Sequence, residues 1–342
     1  MEHPRLGATG LRVSQLCMGT MTFGQGFHGI GVVGQEQADA MVRLALEAGV
    51  DFFDTADVYS AGQSEQILGN ALRAAGVSRE SVVVATKVRG PMSDAARSGA
   101  ADFNNLGLSR KHILEACDAS LRRLGVDYID LYQIHGFDPY TPLEETLQAL
   151  DDLVQWGKVL YVGCSNLAAR HLVKALYLSE QHRWSRFVSL QAYYSLAARD
   201  LEHELLPTCR EEGLGVMVWS PLSGGALSGK YRHGSPEVAR RNTFDFPPVS
   251  SRLGEALDAL EEVAGGRGVS MATAALAWLR QQPGVTSVII GARNSDQLGE
   301  NLASAELELT PDELTRLGAA THPDRLYPQW MMEFQQGGTR PA

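Results

Sequence analysis

In the stretch FFDTADVY the apolar run ends on Asp54, and Tyr59 follows five residues later. Two other apolar runs also stop on titratable groups, VVVATKV at Lys87 and YIDLYQIH at His135. A lysine and an aspartate brought together would pair, and a cation beside a tyrosine favours phenolate, lowering a pKa that is about 10 when unperturbed. Asp54, Lys87 and Tyr59 in contact would make Tyr59 an acid usable near neutrality, and His135 could hydrogen-bond and orient the same oxygen. Each residue taken singly also has a plainer reading: Lys87 emerging into solvent, His135 capping a loop, Asp54 serving as a turn acid. No obvious nucleophile or metal cluster accompanies them. The set suggests proton donation to an oxygen while something else, such as a hydride donor, attacks the carbon.

These residues can meet only if strand ends converge. Eight short runs rich in β-branched and aromatic residues recur: VSQLCMGT, VDFFDTA, SVVVATKV, YIDLYQIH, VLYVGCSN, FVSLQAYYS, LGVMVWS and TSVIIGA. Between them the spacing is helical. In SRKHILEACDASLRRLG, Ile113, Cys117, Leu121 and Leu124 share a face behind Ser109 as N-cap. TPLEETLQALDDLVQWG reads as a helix with Thr141 and Glu144 as a capping box, Pro142 at the first position, and Leu143, Leu147, Leu150 and Val154 inward.

Strands apolar on both faces, each followed by a one-sided helix, imply a parallel sheet covered by helices. Eight such units close most simply into a (β/α)8 TIM barrel; a doubly wound open sheet is the alternative. RLGATGLRV reads as a small N-terminal hairpin under the barrel floor. A further helix opens at Thr310 with Pro311 and Glu313 as a capping box, and an aromatic tail follows. A single domain over residues 1–342 is expected, with the barrel core at about 11–305 and a C-terminal helix and tail over 306–342.

In such barrels the working residues sit at the C-terminal ends of the strands. Those ends carry Thr20, Asp54 with Tyr59, Lys87, His135, Ser165 with Asn166, Gln191, Trp219, and Gly291 with Arg293. Ser165, Asn166 and Gln191 offer the donors and acceptors a carboxamide needs, and Trp219 a flat face on which a nicotinamide could stack. The loop SPLSGGALSGK and the helix opening after GARNSDQ would hold phosphates.

Composition narrows the partners. The 342 residues are 44% hydrophobic and 20% charged, a globular profile, and the net charge of −10 without a basic run argues against nucleic-acid binding. Cys17, Cys117, Cys164 and Cys209 lack CxxC spacing, so neither a zinc site nor a disulfide framework is suggested. The N-terminus lacks a basic segment followed by an apolar one, and no apolar run reaches membrane-spanning length, so a soluble cytoplasmic protein is expected.

Two phosphate motifs fail on context. GQGFHG, residues 24–29, satisfies G-x-G-x-x-G, but IGVVGQ separates it from the next helix, so its glycines cannot open that helix onto a pyrophosphate. GGALSGK, residues 224–230, continues with Tyr231 where a P-loop needs a hydroxyl for magnesium.

Taken in order, DTADVYSAGQSE, VVVATKV, DLYQIHG, VGCSN, LQAYYS, WSPLSGGALSGKY and IIGARNSDQLGEN resemble the aldo-keto reductases over roughly residues 4–320. LGATGLRVSQLCMGT and GGALSGKY look most like the bacterial branch that resembles potassium-channel β subunits and aryl-alcohol dehydrogenase-like reductases. The resemblance implies a catalytic tetrad on Asp54, Tyr59, Lys87 and His135. It implies nicotinamide contacts on Ser165, Asn166, Gln191 and Trp219, and ribose-side contacts on Thr20 and Met21, with Asp54 counted among the cofactor contacts. Pyrophosphate contacts fall on Ser220, Leu222, Gly224 and Lys230, and those of the adenosine end on Gly291, Arg293, Gln297, Glu300 and Asn301. Family members bind NAD(P)H in extended form without a Rossmann domain. Arg293 sits where a 2′-phosphate would lie, which suits a guanidinium, so NADPH is expected over NADH.

The expected activity is reversible reduction of an aldehyde or ketone to the alcohol, on a small-molecule substrate, with no metal. The alternative is a redox-sensing NADPH-binding regulatory subunit with little turnover; His135 favours the enzyme, because the channel-associated relatives lack that histidine. A metal-dependent hydrolase barrel would want several His or carboxylate ligands at neighbouring strand ends, where only one histidine stands. Substrate choice rests on the loops at residues 23–34, 91–107 and 223–268. Tyr327, Trp330 and Phe334 of the tail would roof the pocket, pack between subunits or pack on the barrel, which leaves a homo-oligomer open.

Overall fold

The computed structural model describes residues 1–231 and 240–336. Eight parallel strands close into a barrel in chain order: β1 (Leu16–Gly19), β2 (Phe52–Asp54), β3 (Val83–Val88), β4 (Ile129–Ile134), β5 (Val159–Ser165), β6 (Phe187–Tyr193), β7 (Gly215–Trp219) and β8 (Val285–Ile290). An open sheet is excluded because β1 pairs with β8 as well as with β2, Cys17 lying opposite Ile289. Helices between the strands complete the (β/α)8 TIM barrel, and further helices follow β8.

Side chains alternate along each strand, so every second residue points into the barrel. The lower interior is filled by a small apolar cluster that includes Cys17, Phe52, Val83, Leu131 and Met217. A much larger cluster packs the outer strand faces against the helices. One inward layer higher the residue types turn polar, at Asp54, Lys87, Gln133 and Gln191, all buried. Those four stand at the C-terminal ends of their strands.

The N-terminal hairpin is a single bridge, Arg5 with Arg12, closed by Leu6 N–H donating to Leu11 O at 2.8 Å. It does seal the floor. Gly7 takes φ +60° and lies so close to the starts of β6 and β7 that a Cβ there would meet Val188 O at 2.7 Å and Gly213 O at 2.6 Å.

Capping follows expectation at two helices and departs from it at a third. Ser109 Oγ accepts from His112 N–H at the start of Arg110–Leu124, and Thr310 with Glu313 forms a complete capping box at Pro311–Ala320. The box expected at Thr141 and Glu144 does not form: the helix is Leu143–Gln155, Pro142 is its N-cap, and the Thr141 hydroxyl donates to Asp138 Oδ2 at 2.8 Å. Asp138 wins it by gathering donors, since it also accepts from Leu108 N–H at 2.7 Å and Tyr140 N–H at 3.0 Å. Burial would raise that carboxyl, but these hydrogen bonds outweigh it and hold the pKa below its ordinary value.

The excursion after β7 contains a kinked turn at Ser223–Ser228 and helices at Arg240–Thr243 and Leu253–Arg267; residues 232–239 of it lie outside the described residues. In the tail, the helix Gln329–Gln336 buries none of its residues, and residues 337–342 lie outside the described ones. Tyr327 is 74% and Phe334 79% exposed, so these aromatics do not pack on the barrel. Among the described residues no helix is long and apolar enough to cross a membrane.

Candidate active site

Lys87 is fully buried, and its Nζ donates to three oxygens: Asp54 Oδ2 at 2.5 Å, Thr55 O at 2.8 Å and Tyr59 Oη at 3.4 Å. Burial works against the ammonium. The Asp54 carboxylate, and then Tyr59, more than offset it, so the lysine pKa is raised and the group stays charged. The other Asp54 oxygen accepts from Gln133 Nε2 at 3.0 Å and Gln191 Nε2 at 2.9 Å. A buried carboxylate is tolerable when its lone pairs are filled this way.

The chain turns sharply after Tyr59, where Ser60 and Ala61 adopt φ of 48° and 53°. Residues without glycine's freedom cost energy in that region, and such outliers cluster at working sites. Ser60 is fixed by its hydroxyl donating to Phe23 O at 2.9 Å. Asn166 and Ser220, each directly after a strand, are left-handed as well, at 54° and 52°.

Lys87 does not bring Tyr59 down to neutrality as the sequence suggests. Burial raises the phenol, the Lys87 ammonium pulls it part of the way back, Asp54 opposes that pull, and the net pKa lies above its ordinary value. Tyr59 is therefore a neutral phenol with a cation behind its oxygen. His135 faces it edge-on, ring centroids 5.7 Å apart at 77°. Burial, then Lys87, then Arg89 lower the His135 pKa to about 3, so the imidazole is neutral and can donate one N–H. The arrangement can deliver one proton to an oxygen and hydrogen-bond that oxygen from a second direction.

The remaining strand ends form the other side of the mouth. Ser165 Oγ donates to Gln191 O at 2.9 Å, Asn166 Nδ2 to His135 O at 3.1 Å, and Trp219 Nε1 to Asn166 Oδ1 at 3.1 Å. Trp219 stacks with Tyr193 at 4.9 Å and with Phe246 at 5.8 Å between centroids. Gln191, read as a carboxamide contact, spends its amide nitrogen on Asp54 instead of opening it to the mouth.

After β7, Ser220 Oγ accepts from Gly224 N–H at 3.1 Å, Leu222 O accepts from Gly225 N–H at 2.8 Å, and the Lys230 ammonium lies 5.2 Å from the Tyr231 ring centre. After β8, Gln297 Oε1 accepts from Arg293 N–H at 3.0 Å, Asn301 Nδ2 donates to Gly291 O at 3.2 Å, and Glu300 O accepts from Thr273 Oγ1. Thr20 turns inward, its hydroxyl 2.8 Å from Ser64 Oγ, while Met21 is half-buried beside it.

GQGFHG is a loop over the mouth rather than a nucleotide fingerprint: Phe27 meets Tyr59 at 5.1 Å, His28 stacks on Phe244 at 4.6 Å, and the next helix begins only at Gln35. Lys230 and Tyr231 lie in a turn, and among the described residues no helix opens there either. Among the described residues no group of three or more His, Cys, Asp or Glu side chains could hold a metal ion.

Gln133 and Asp57 escaped the sequence reading. Strand alternation could have found Gln133, which stands two residues before His135 and so points the same way. Asp57 is buried with both carboxyl oxygens unpartnered, and burial, then Glu65, raise its pKa well above the ordinary carboxylate range, a state no local pattern announces.

Residues 15–321 match the model of the Aldo/keto reductase family. The chain is 36% identical over 96% of its length to a versiconal hemiacetal acetate reductase of Aspergillus parasiticus, covering 99% of that protein. It is 39% identical to an uncharacterized oxidoreductase, YrpG, of Bacillus subtilis, over 93% of this chain and 95% of that one. A probable voltage-gated potassium channel subunit beta of Oryza sativa is 35% identical, over 93% and 96% of the two chains.

Proposed function

The chain belongs to the aldo/keto reductase family, oxidoreductases of small carbonyl compounds, and we propose that it reversibly reduces an aldehyde or ketone to the alcohol, with Tyr59 as general acid and NADPH as cofactor. One observation carries this reading: the buried Lys87 ammonium lies between Asp54 Oδ2 at 2.5 Å and Tyr59 Oη at 3.4 Å.

The Tyr59 hydroxyl gives its proton to the substrate oxygen as that oxygen becomes an alkoxide. The phenolate left behind faces the Lys87 ammonium, which stabilises it in a site that water reaches poorly. His135, neutral, donates to the same oxygen and fixes its direction. Asp54 keeps Lys87 charged and in place. In the reverse direction Tyr59 must first be phenolate to take the alcohol proton.

The mouth suits a dinucleotide. The Arg293 guanidinium has no carboxylate partner among the described residues and precedes the helix Ser295–Leu302, whose N-terminal N–H groups favour anions. Asn166 and Trp219 line the opposite end next to Tyr59 and His135. NADPH bound there would supply the hydride for the carbon. Ser220, Gly224 and Lys230 would hold its pyrophosphate, and Arg293 its 2′-phosphate. The same reading takes the chain as one domain working in the cytoplasm, where four buried free thiols are at home.

Steady-state rates with NADPH and a panel of aldehydes and ketones test the activity; turnover of at least one class is expected. A second reading, a redox-sensing subunit with little turnover, draws on the 35% identity to the rice channel subunit. Tight NADPH binding without turnover across the panel would decide for it. Cofactor choice has its own test: Arg293→Ala is expected to raise the NADPH dissociation constant about tenfold or more, the size of a lost charge-assisted hydrogen bond, and to leave that of NADH unchanged. Equal constants for the two cofactors, unmoved by the substitution, would remove the preference.

A further inference from the structure

We propose that Gln133, buried inside the barrel, is a positioning residue that holds the second N–H of the Gln191 amide away from the mouth. The inference rests on the reading above that a nicotinamide binds beside Tyr59. Gln133 stands on β4 and Gln191 on β6, with β5 between them. Their side chains meet because β5 carries Gly163 opposite Gln133; a Cβ there would come within 3.2 Å of Gln133 Cγ and 2.6 Å of Ser189 Oγ. Both glutamines are buried, so their amides cannot turn to bulk water for partners.

The orientation of each amide follows from the chemistry of its neighbour. Asp54, paired with Lys87, can only accept, so both amides must turn nitrogen toward its Oδ1, Gln133 at 3.0 Å and Gln191 at 2.9 Å. Gln191 Nε2 also lies 3.3 Å from Gln133 Oε1, which occupies its second N–H. Both hydrogens of the Gln191 amide are then spent inside the barrel. Its Oε1 accepts nothing among the described residues, and it is not one of the fully buried atoms left without a partner. Gln191 therefore shows the mouth a carbonyl oxygen and no donor.

A site finished in this way selects a ligand that brings an N–H to that point, as a primary carboxamide does, and disfavours one that brings a methyl group. Removing Gln133 leaves a Gln191 N–H without an acceptor. A buried unpaired donor is costly, and swinging that second N–H toward the mouth, while the other stays on Asp54, relieves it. The mouth would then meet a donor beside the acceptor.

Dissociation constants of NADP+ and of its 3-acetylpyridine analogue, which has a methyl ketone in place of the carboxamide, test this by fluorescence titration. The wild-type protein is expected to favour NADP+ by about tenfold. In Gln133→Met, or in Gln133→Leu if the methionine variant does not fold, that preference should shrink to about threefold or less. Gln133→Glu, whose side chain still accepts from Gln191 and takes up a proton beside Asp54, should keep it. A Gln133→Met protein that binds both nucleotides with the wild-type ratio overturns the inference while leaving the cofactor reading intact. A wild-type ratio near one overturns it as well, because Gln191 then shows no preference to position. Wild-type protein that binds neither nucleotide removes the cofactor reading and this inference with it.

Discussion

Tyr59→Phe is expected to lower kcat/KM for carbonyl reduction by about 10²–10⁴-fold, the range in which a positioned general acid acts, and to leave the dissociation constant for NADPH essentially unchanged. The substitution removes one oxygen and keeps the ring. Phe27 at 5.1 Å and His135 at 5.7 Å still hold that ring in place, and Lys87 keeps its bonds to Asp54 and Thr55. What disappears is the hydroxyl whose oxygen accepts from the Lys87 ammonium at 3.4 Å, and with it the proton it carries. Steady-state kinetics beside a cofactor titration separates this from unfolding. Retained turnover would contradict the assignment of Tyr59 as donor.

Lys87→Met should be the most damaging single change to the fold as well as to the reaction. Lys87 has no exposed surface and Asp54 almost none. Taking away one partner of a buried ion pair leaves a charge that the interior solvates poorly, a loss of about 3–5 kcal/mol by precedent. The two glutamine donors on Asp54 soften that loss but do not replace a cation. Urea unfolding measures it, and the control is the double variant Asp54→Asn/Lys87→Met. A neutral pair of similar volume should recover most of the stability while activity stays lost. If Lys87→Met instead unfolds within about 1 kcal/mol of wild type, as an exposed pair would allow, the pair is not the buried one described.

The barrel was legible because its evidence is local and repeated. Runs such as SVVVATKV and YIDLYQIH are apolar on both faces, helices such as Arg110–Leu124 are apolar on one, and alternating the two leaves few topologies. Capping was less so. Thr141 has the right type and spacing for a box with Glu144, but Asp138, at the end of the preceding loop, competes for its hydroxyl, and that competition exists only in three dimensions.

At the site, the meeting of Asp54, Tyr59 and Lys87 could be anticipated from strand ends. The balance of forces on Tyr59 could not, because desolvation depends on how completely the loop carrying Phe27 and the turn at Ser60 wrap the ring. Gln133 shows the same limit from another side. Its inward direction follows from alternation, but its partnership with Gln191 requires the space above Gly163, which is a property of the assembled barrel.

The raised phenol changes what should be seen as pH is varied. Reduction needs the protonated form, which a pKa above the ordinary tyrosine range keeps full through neutrality, and His135 does not titrate there either. Oxidation of the alcohol needs the phenolate, a small fraction that grows with pH. Rates of the two directions, measured on one substrate pair from about pH 6 to about pH 10, bear most directly on Tyr59 as the proton carrier. Reduction should be flat through neutrality and fall only at the alkaline end, while oxidation rises about tenfold per pH unit until it approaches the phenol's own pKa. Oxidation that ignores pH over that range, or reduction that titrates near about 6.5 as an ordinary histidine would, contradicts a neutral Tyr59 phenol as the donor.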